Sequence, residues 1–185
     1  GIKYVARAAK NLRKRYPNIR YHIYSSGTDA VNERLDRGLL DFAVIVQEVD
    51  LSRYNYLRLP VQDIWGVLMR KDDPLSKKEH IQISDLRGLP LICSRQGLRE
   101  EMVKWFGDEL EKLSIVATYD LLYNASILTR EGLGYAIGFK DLAYTGADSE
   151  LCVRPLKPAL ASPMYLIWKK YQVFSPAAEC FLTTL

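Results

Sequence analysis

Apolar residues return at steps of three and four from the start of the chain. Ile2, Val5, Ala9, Leu12 and Tyr16 share one helical face, which predicts an amphipathic helix over residues 2–16. Pro17 ends it, because the residue before a proline is pushed out of helical geometry. The pattern then changes to strict alternation. Ile19, Tyr21 and Ile23 fall on one side and Arg20, His22 and Tyr24 on the other, which predicts a strand with one drier face. The polar turn "SSGT" follows, with Ser26 or Thr28 as N-cap of a second helix buried through Val31, Leu35 and Leu39. Gly38 can take the left-handed conformation that closes this helix. Asp41 stands at the entry of "FAVIV", which is apolar on both faces, as a central parallel strand covered by helices must be.

The same grammar continues. Two short strands are expected on either side of Pro60, the second over residues 64–69, running into a charged turn that ends at Pro74. A short helix, "ISDLRG", capped by Ser84, leads to the apolar strand "LPLICS". "QGLREEMVKWFGDEL" reads as an amphipathic helix burying Leu98, Met102, Trp105 and Phe106. The strand "SIVATY", a helix closed by Gly132 and the strand "GYAIGF" complete a strand–helix alternation. Two further strands, "LCVRPL" and "PMYLIWKKY", precede a last helix with Ser175 as N-cap and Pro176 at its first position. The whole reads as an α/β chain of two similar lobes.

Composition narrows the function. With 48% hydrophobic and 26% charged residues in 185, the chain is a folded one, and no apolar run approaches a membrane span. Three cysteines, Cys93, Cys152 and Cys180, form no CxxC pair, so zinc and a disulfide framework are not expected and a reducing cytoplasm fits. The net charge of +4 is mild. Lys3, Arg7, Lys10 and Lys14 form one helical stripe, most simply a solvated face, with phosphate contact as the sharper alternative.

Catalytic chemistry is hard to assemble. There are two histidines, His22 and His80, and no GxSxG, HExxH or P-loop. Asp72 and Asp73 read as turn formers. What remains are loops at strand ends, where open α/β sheets bind ligands. In "YSSGTDA" the hydroxyls of Ser25, Ser26 and Thr28 lie at a helix start. In "CSRQGLR", Ser94, Arg95 and the amides near Gln96 and Gly97 lie at another, with Arg99 one turn on, a set suited to a small anion. "IGFKD" is the third.

The stretch "NLRKRYPNIRYHIYSSGTDAVNERLDRGLLDFAVIV" resembles the effector-binding domain of LysR-type transcriptional regulators. "DIWGVLMRKDDPL", "SDLRGLPLI" and "REGLGYAIGF" follow in the family's order, so the resemblance spans nearly the whole chain. It implies a periplasmic-binding-protein-like fold: two Rossmann-like lobes with mixed sheets, joined by two crossing strands. Residues 1–69 and 164–185 would form lobe I and residues 70–163 lobe II. The first strand of lobe I, the linker helix and the DNA-binding winged helix-turn-helix would lie outside the chain. The resemblance also implies a small-molecule effector held between the lobes by Ser26, Gly27 and Thr28 from the first and Ser94, Arg95 and Gln96 from the second, with Gly138 and Phe139 closing the far side, and the arginines near these loops point to an organic acid. Asp41 would be structural. No cofactor, metal or membrane partner is implied. The domains would pair as a homodimer or tetramer through the first helix and the strand after it, and DNA would be met only through the absent N-terminal domain. A transporter's solute-binding protein, or an enzyme on a similar fold, are the competing readings; fold analogy alone does not choose among them.

Overall fold

A computed structural model describes residues 1–46, 50 and 52–185. The chain divides into two compact units: residues 1–62 with 163–185, and residues 63–162. It passes from the first to the second once and returns once.

Unit 1 begins with α1 (Ile2–Arg15), which buries Ala8 and Leu12 against Phe181. The expected apolar face is present at its centre but not at its ends, where Ile2 and Tyr16 are exposed. Lys3, Arg7, Lys10 and Lys14 all face solvent. α2 (Thr28–Asp36) buries Leu35. Its C-terminus is closed by Gly38 at φ +68°, with Leu39 N–H donating to Arg34 O and Gly38 N–H to Leu35 O, both at 2.9 Å. This pair of bonds is the Schellman arrangement that the glycine foretold.

Strand β1 (Ala43–Ile45) differs from expectation in its neighbours. It pairs antiparallel with β7 (Ala161–Lys169), Ala43 opposite Ile167 and Ile45 opposite Tyr165. Both faces are covered all the same. Ala43 and Ile45 pack with Leu35, while Val44 lies with Val5, Leu59 and Leu166. A continuous apolar run reports burial on two faces and is silent on strand direction.

Three further expectations for this unit are corrected. Residues 19–24 form no strand. Among the described residues no strand pairs with them, and alternation without a ladder does not make one. The segment is tethered instead by tyrosines: the Tyr21 hydroxyl donates to Ala9 O at 3.4 Å, and Arg34 lies over the Tyr24 ring. Ile23, assigned to the drier face, is 69% exposed. The N-cap of α2 is Gly27 rather than Ser26 or Thr28. The two strands flanking Pro60 are one, β2 (Tyr54–Arg70), which runs through an exposed Pro60. Proline costs a sheet nothing where its missing N–H would have faced solvent. Helix α6 (Pro176–Leu182) closes the unit, and Ser175 Oγ accepts from Ala178 N–H at 3.3 Å, as expected of its N-cap.

Unit 2 is built on β3 (Pro90–Ser94), β4 (Ser114–Tyr119), β5 (Tyr135–Phe139), β6 (Leu151–Pro155) and the end of β2. β3 is parallel to both β4 and β5, and β2 is antiparallel to β5 and β6. The alternation of the strands sorts the core into two faces. Trp65, Val67, Met69, Leu91, Cys93 and Ile137 point to one side with α3 (Ile83–Leu86) and α4 (Glu101–Phe106). Leu68, Ile92 and Ala136 point to the other, with α5 (Leu122–Arg130). α5 ends as α2 does, at Gly132 with φ +84°. Because Trp65, Val67 and Met69 belong to this core, residues 63–69 lie in unit 2, not with the first lobe.

Two helices are misjudged from sequence. α3 is capped by Gln82, whose N–H donates to Asp85 Oδ2 at 3.0 Å, and Ser84 lies inside it. The long helix after β3 is broken. Residues Gly97–Arg99 form a 3-10 turn, Glu100 leaves helical geometry at φ −132°, and Gly107 at φ +54° ends α4. Met102 and Phe106 are buried, whereas Leu98 and Trp105 are only half-buried.

Candidate functional site

In unit 1 the exposed loop Ser25–Gly27 leads into α2, with Gly27 extended. Gly27 O accepts from Val31 N–H at 3.1 Å, which fixes the first turn. A side chain at Gly27 would meet nothing within 4 Å, so the backbone lies open to a visiting group. Thr28 is the first helical residue and half-buried. Asp29 puts a carboxylate in the same turn, so hydrogen-bond donors rather than net charge would attract an anion here.

In unit 2 the site residues follow the C-terminal end of the central strand β3. Ser94 Oγ accepts from Gly97 N–H at 3.3 Å and so shapes the 3-10 turn. Arg95 is anchored by its own N–H to Tyr119 O at 3.0 Å, and its guanidinium is exposed beside Asp120 at 3.5 Å. The amides at this turn do not open a long helix, because α4 starts only at Glu101. Any anion held here would therefore rely on side chains and local amides more than on a helix dipole.

Gly138 and Phe139 have different surroundings. Gly138 is buried, and a Cβ there would sit 2.6 Å from both Leu122 Cδ1 and the Tyr119 hydroxyl, so its smallness serves the packing of unit 2. Phe139 is half-buried and lies 4.4 Å from the Trp65 ring. Trp65 is the residue that sequence reasoning missed. Its ring would lie 2.7 Å from a Cβ on Gly97, so it touches both the Ser94–Gly97 turn and Phe139. Its indole N–H donates to Ser162 Oγ at 2.9 Å, a partner 97 residues away that no local pattern announces.

Two buried groups beside the site loop of unit 2, Cys93 on β3 and Tyr119 on β4, are held in their protonated forms. Burial pushes the Cys93 thiol up to about 12. Burial, with Cys93 as a smaller influence, also raises Tyr119, whose hydroxyl donates to Ile137 O at 2.7 Å. Neither group is set up to act as a nucleophile or base near neutrality. Among the described residues no three His, Cys, Asp or Glu side chains gather as a metal would need. No helix among them is long and apolar enough to cross a membrane.

Comparison with known proteins places this architecture. The model of the LysR substrate binding domain matches residues 1–185. Solved structures of similar fold include the effector-binding domain of QuiR in complex with shikimate, at TM-score 0.82 and 19% identity, covering 97% of this chain and 87% of that one. The regulatory domain of CcmR from Synechocystis PCC6803 in complex with 2-PG aligns at TM-score 0.79 and 18% identity, over 98% and 88% of the two chains. HinK, a LysR family transcriptional regulator from Pseudomonas aeruginosa, aligns at TM-score 0.76 and 19% identity over 96% of this chain but only 62% of its own. No curated protein matches in sequence. The family match decides against the solute-binding protein of a transporter. The chain belongs to the LysR substrate-binding domain family, the effector-binding part of a class of transcription regulators.

Proposed function

We propose that this chain is the sensory domain of a cytoplasmic LysR-type regulator, binding a small organic acid and leaving it chemically unchanged. The match of the family model to the whole chain carries this reading. Ser26, Gly27 and Thr28 of unit 1 and Ser94, Arg95 and Gln96 of unit 2 contact the effector, with Phe139 as an apolar neighbour. The arginines at residues 95 and 99 favour a negatively charged ligand. The effector acts by binding one arrangement of the regulator more tightly than another, which biases the DNA grip of a separate N-terminal domain. The exposed apolar residues Ile2, Ile23 and Tyr24 support self-association through α1 and residues 19–24, with the basic stripe at the rim.

The test is a thermal-shift panel of small organic acids, followed by native mass spectrometry. An effector at a hundredfold its Kd contributes about 2.7 kcal/mol. For a chain of this size that is a rise of about 5–10 °C in Tm. A stabilising acid recovered unaltered is the expected result. Turnover of the bound acid, or no response to any acid, would overturn the reading.

A further inference from the structure

Residues 1–28 carry seven Lys and Arg and no Asp or Glu; the first acid is Asp29. The fold sorts most of these cations onto one face. Burial of Ala8 and Leu12 against Phe181 fixes which side of α1 points inward. At roughly 100° per residue, Lys3, Arg7, Lys10 and Lys14 lie on the opposite side, and all four are exposed. Among the described residues none of the four forms an ion pair. Arg13 flanks the stripe, and with Lys10, Lys14, Ala9 and Tyr21 it lines an open groove of about 450 Å³. Tyr21 is held there by the bond from its hydroxyl to Ala9 O.

This arrangement works against the helix. Like charges three and four positions apart repel. The helix dipole favours Arg13, Lys14 and Arg15 in the last turn, but it disfavours Lys3 in the first and does nothing for Arg7 and Lys10. An outside anion removes the repulsion. Lys3 to Lys14 spans about 16 Å at about 1.5 Å per residue. Over that length one strand of a duplex presents about five phosphates, spaced about 3.4 Å along the axis. Three of the four stripe residues are lysines, a residue depleted from protein–protein interfaces. The apolar side of α1 is packed on Phe181, so the helix has no free apolar face to lay into a lipid surface. The chain belongs to a class of transcription regulators, and duplex DNA is the phosphodiester polymer such proteins meet. We propose that the outer face of α1 is a sequence-independent DNA contact, made by Lys3, Arg7, Lys10 and Lys14 with backbone phosphates. This departs from the expectation that DNA is met only through a separate N-terminal domain, and it does not depend on any effector. Ile2, Ile23 and Tyr24, assigned above to self-association, are not part of the stripe.

The experiment is fluorescence anisotropy of the full chain with a labelled duplex of arbitrary sequence, titrated between about 50 and 200 mM salt. Four phosphate contacts predict that log K falls against log salt with a slope of about −3.6. The triple variant Arg7→Gln, Lys10→Gln and Lys14→Gln keeps helix-forming side chains and is expected to make that slope shallower by about 3. It is also expected to weaken binding at least about tenfold at the lower salt. Its thermal midpoint is kept or raised, since repulsion within α1 is removed. Lys77→Gln, Lys104→Gln and Lys157→Gln together remove the same charge from exposed positions of unit 2 and are expected to leave the slope unchanged. No binding at the lower salt overturns the proposal, and so does equal weakening by both triple variants, which would show net charge alone at work. A strong preference among duplexes of unrelated sequence overturns the backbone contact. Tighter, stripe-dependent binding to poly-glutamate or to phosphatidylserine vesicles overturns the choice of DNA and assigns the face to an acidic protein or a lipid surface.

Discussion

At the scale of single residues, the site is a matter of which polar atoms are committed and which are spare. Ser94 is half committed: its oxygen accepts the Gly97 N–H, and its proton remains to be placed. Ser94→Ala and Thr28→Val are each expected to weaken effector binding by about tenfold or more, as loss of a charge-assisted contact would. Calorimetry of the two variants checks this, and unchanged affinity in both would remove these residues from the site. Cys93 offers a test of the interior. Its thiol is pushed up to about 12 from an ordinary 9.0, so above pH 9 the unfolded chain loses a proton that the folded chain keeps. Stability contributed by this group is complete below pH 9 and falls as pH rises towards 12. Cys93→Ala, read by denaturant midpoints across that range, is expected to show a shallower alkaline decline than the wild type.

Elements whose signals are local were readable in advance. Gly38 and Gly132 announced two helix ends, and Ser175 with Pro176 announced a helix start, because the residues that make a cap adjoin the helix they cap. Gly132→Ala forces a side chain into φ +84° and is expected to cost about 1–2 kcal/mol, measured by urea unfolding. Elements that depend on distant partners were not readable. Residues 19–24 alternate perfectly yet lack a ladder, whereas β2 continues through Pro60 because β7 lies beside it. The helix after β3 carried a good apolar period, but the backbone leaves helical geometry at Glu100 and at Gly107. The site divided in the same way. The Ser94–Gly97 turn could be placed after an apolar strand from sequence, whereas residues 25–28 follow no strand, and the Trp65–Ser162 bond joins residues far apart in the chain and left no pattern to find.

At the scale of the whole molecule, the path of the chain matters more than any contact. Residues 63–162 form one uninterrupted segment set inside a unit whose own sequence is split around it. Near the two ends of that segment, Trp65 N–H donates to Leu160 O at 2.9 Å and the Trp65 indole to Ser162. The segment thus begins and finishes at one place, with its own two-faced core between. It has the anatomy of a cassette. Residues 63–162 expressed alone are expected to unfold cooperatively in urea with far-UV helix and sheet signals, because termini held together cost little to close. A gradual, non-cooperative melt would show that the segment borrows its stability from the flanking chain. If the cassette stands by itself, one host could accept different inserts through the same pair of seams. Recognition chemistry carried by the insert could then be exchanged without recutting the half of the molecule that holds α1 and α6.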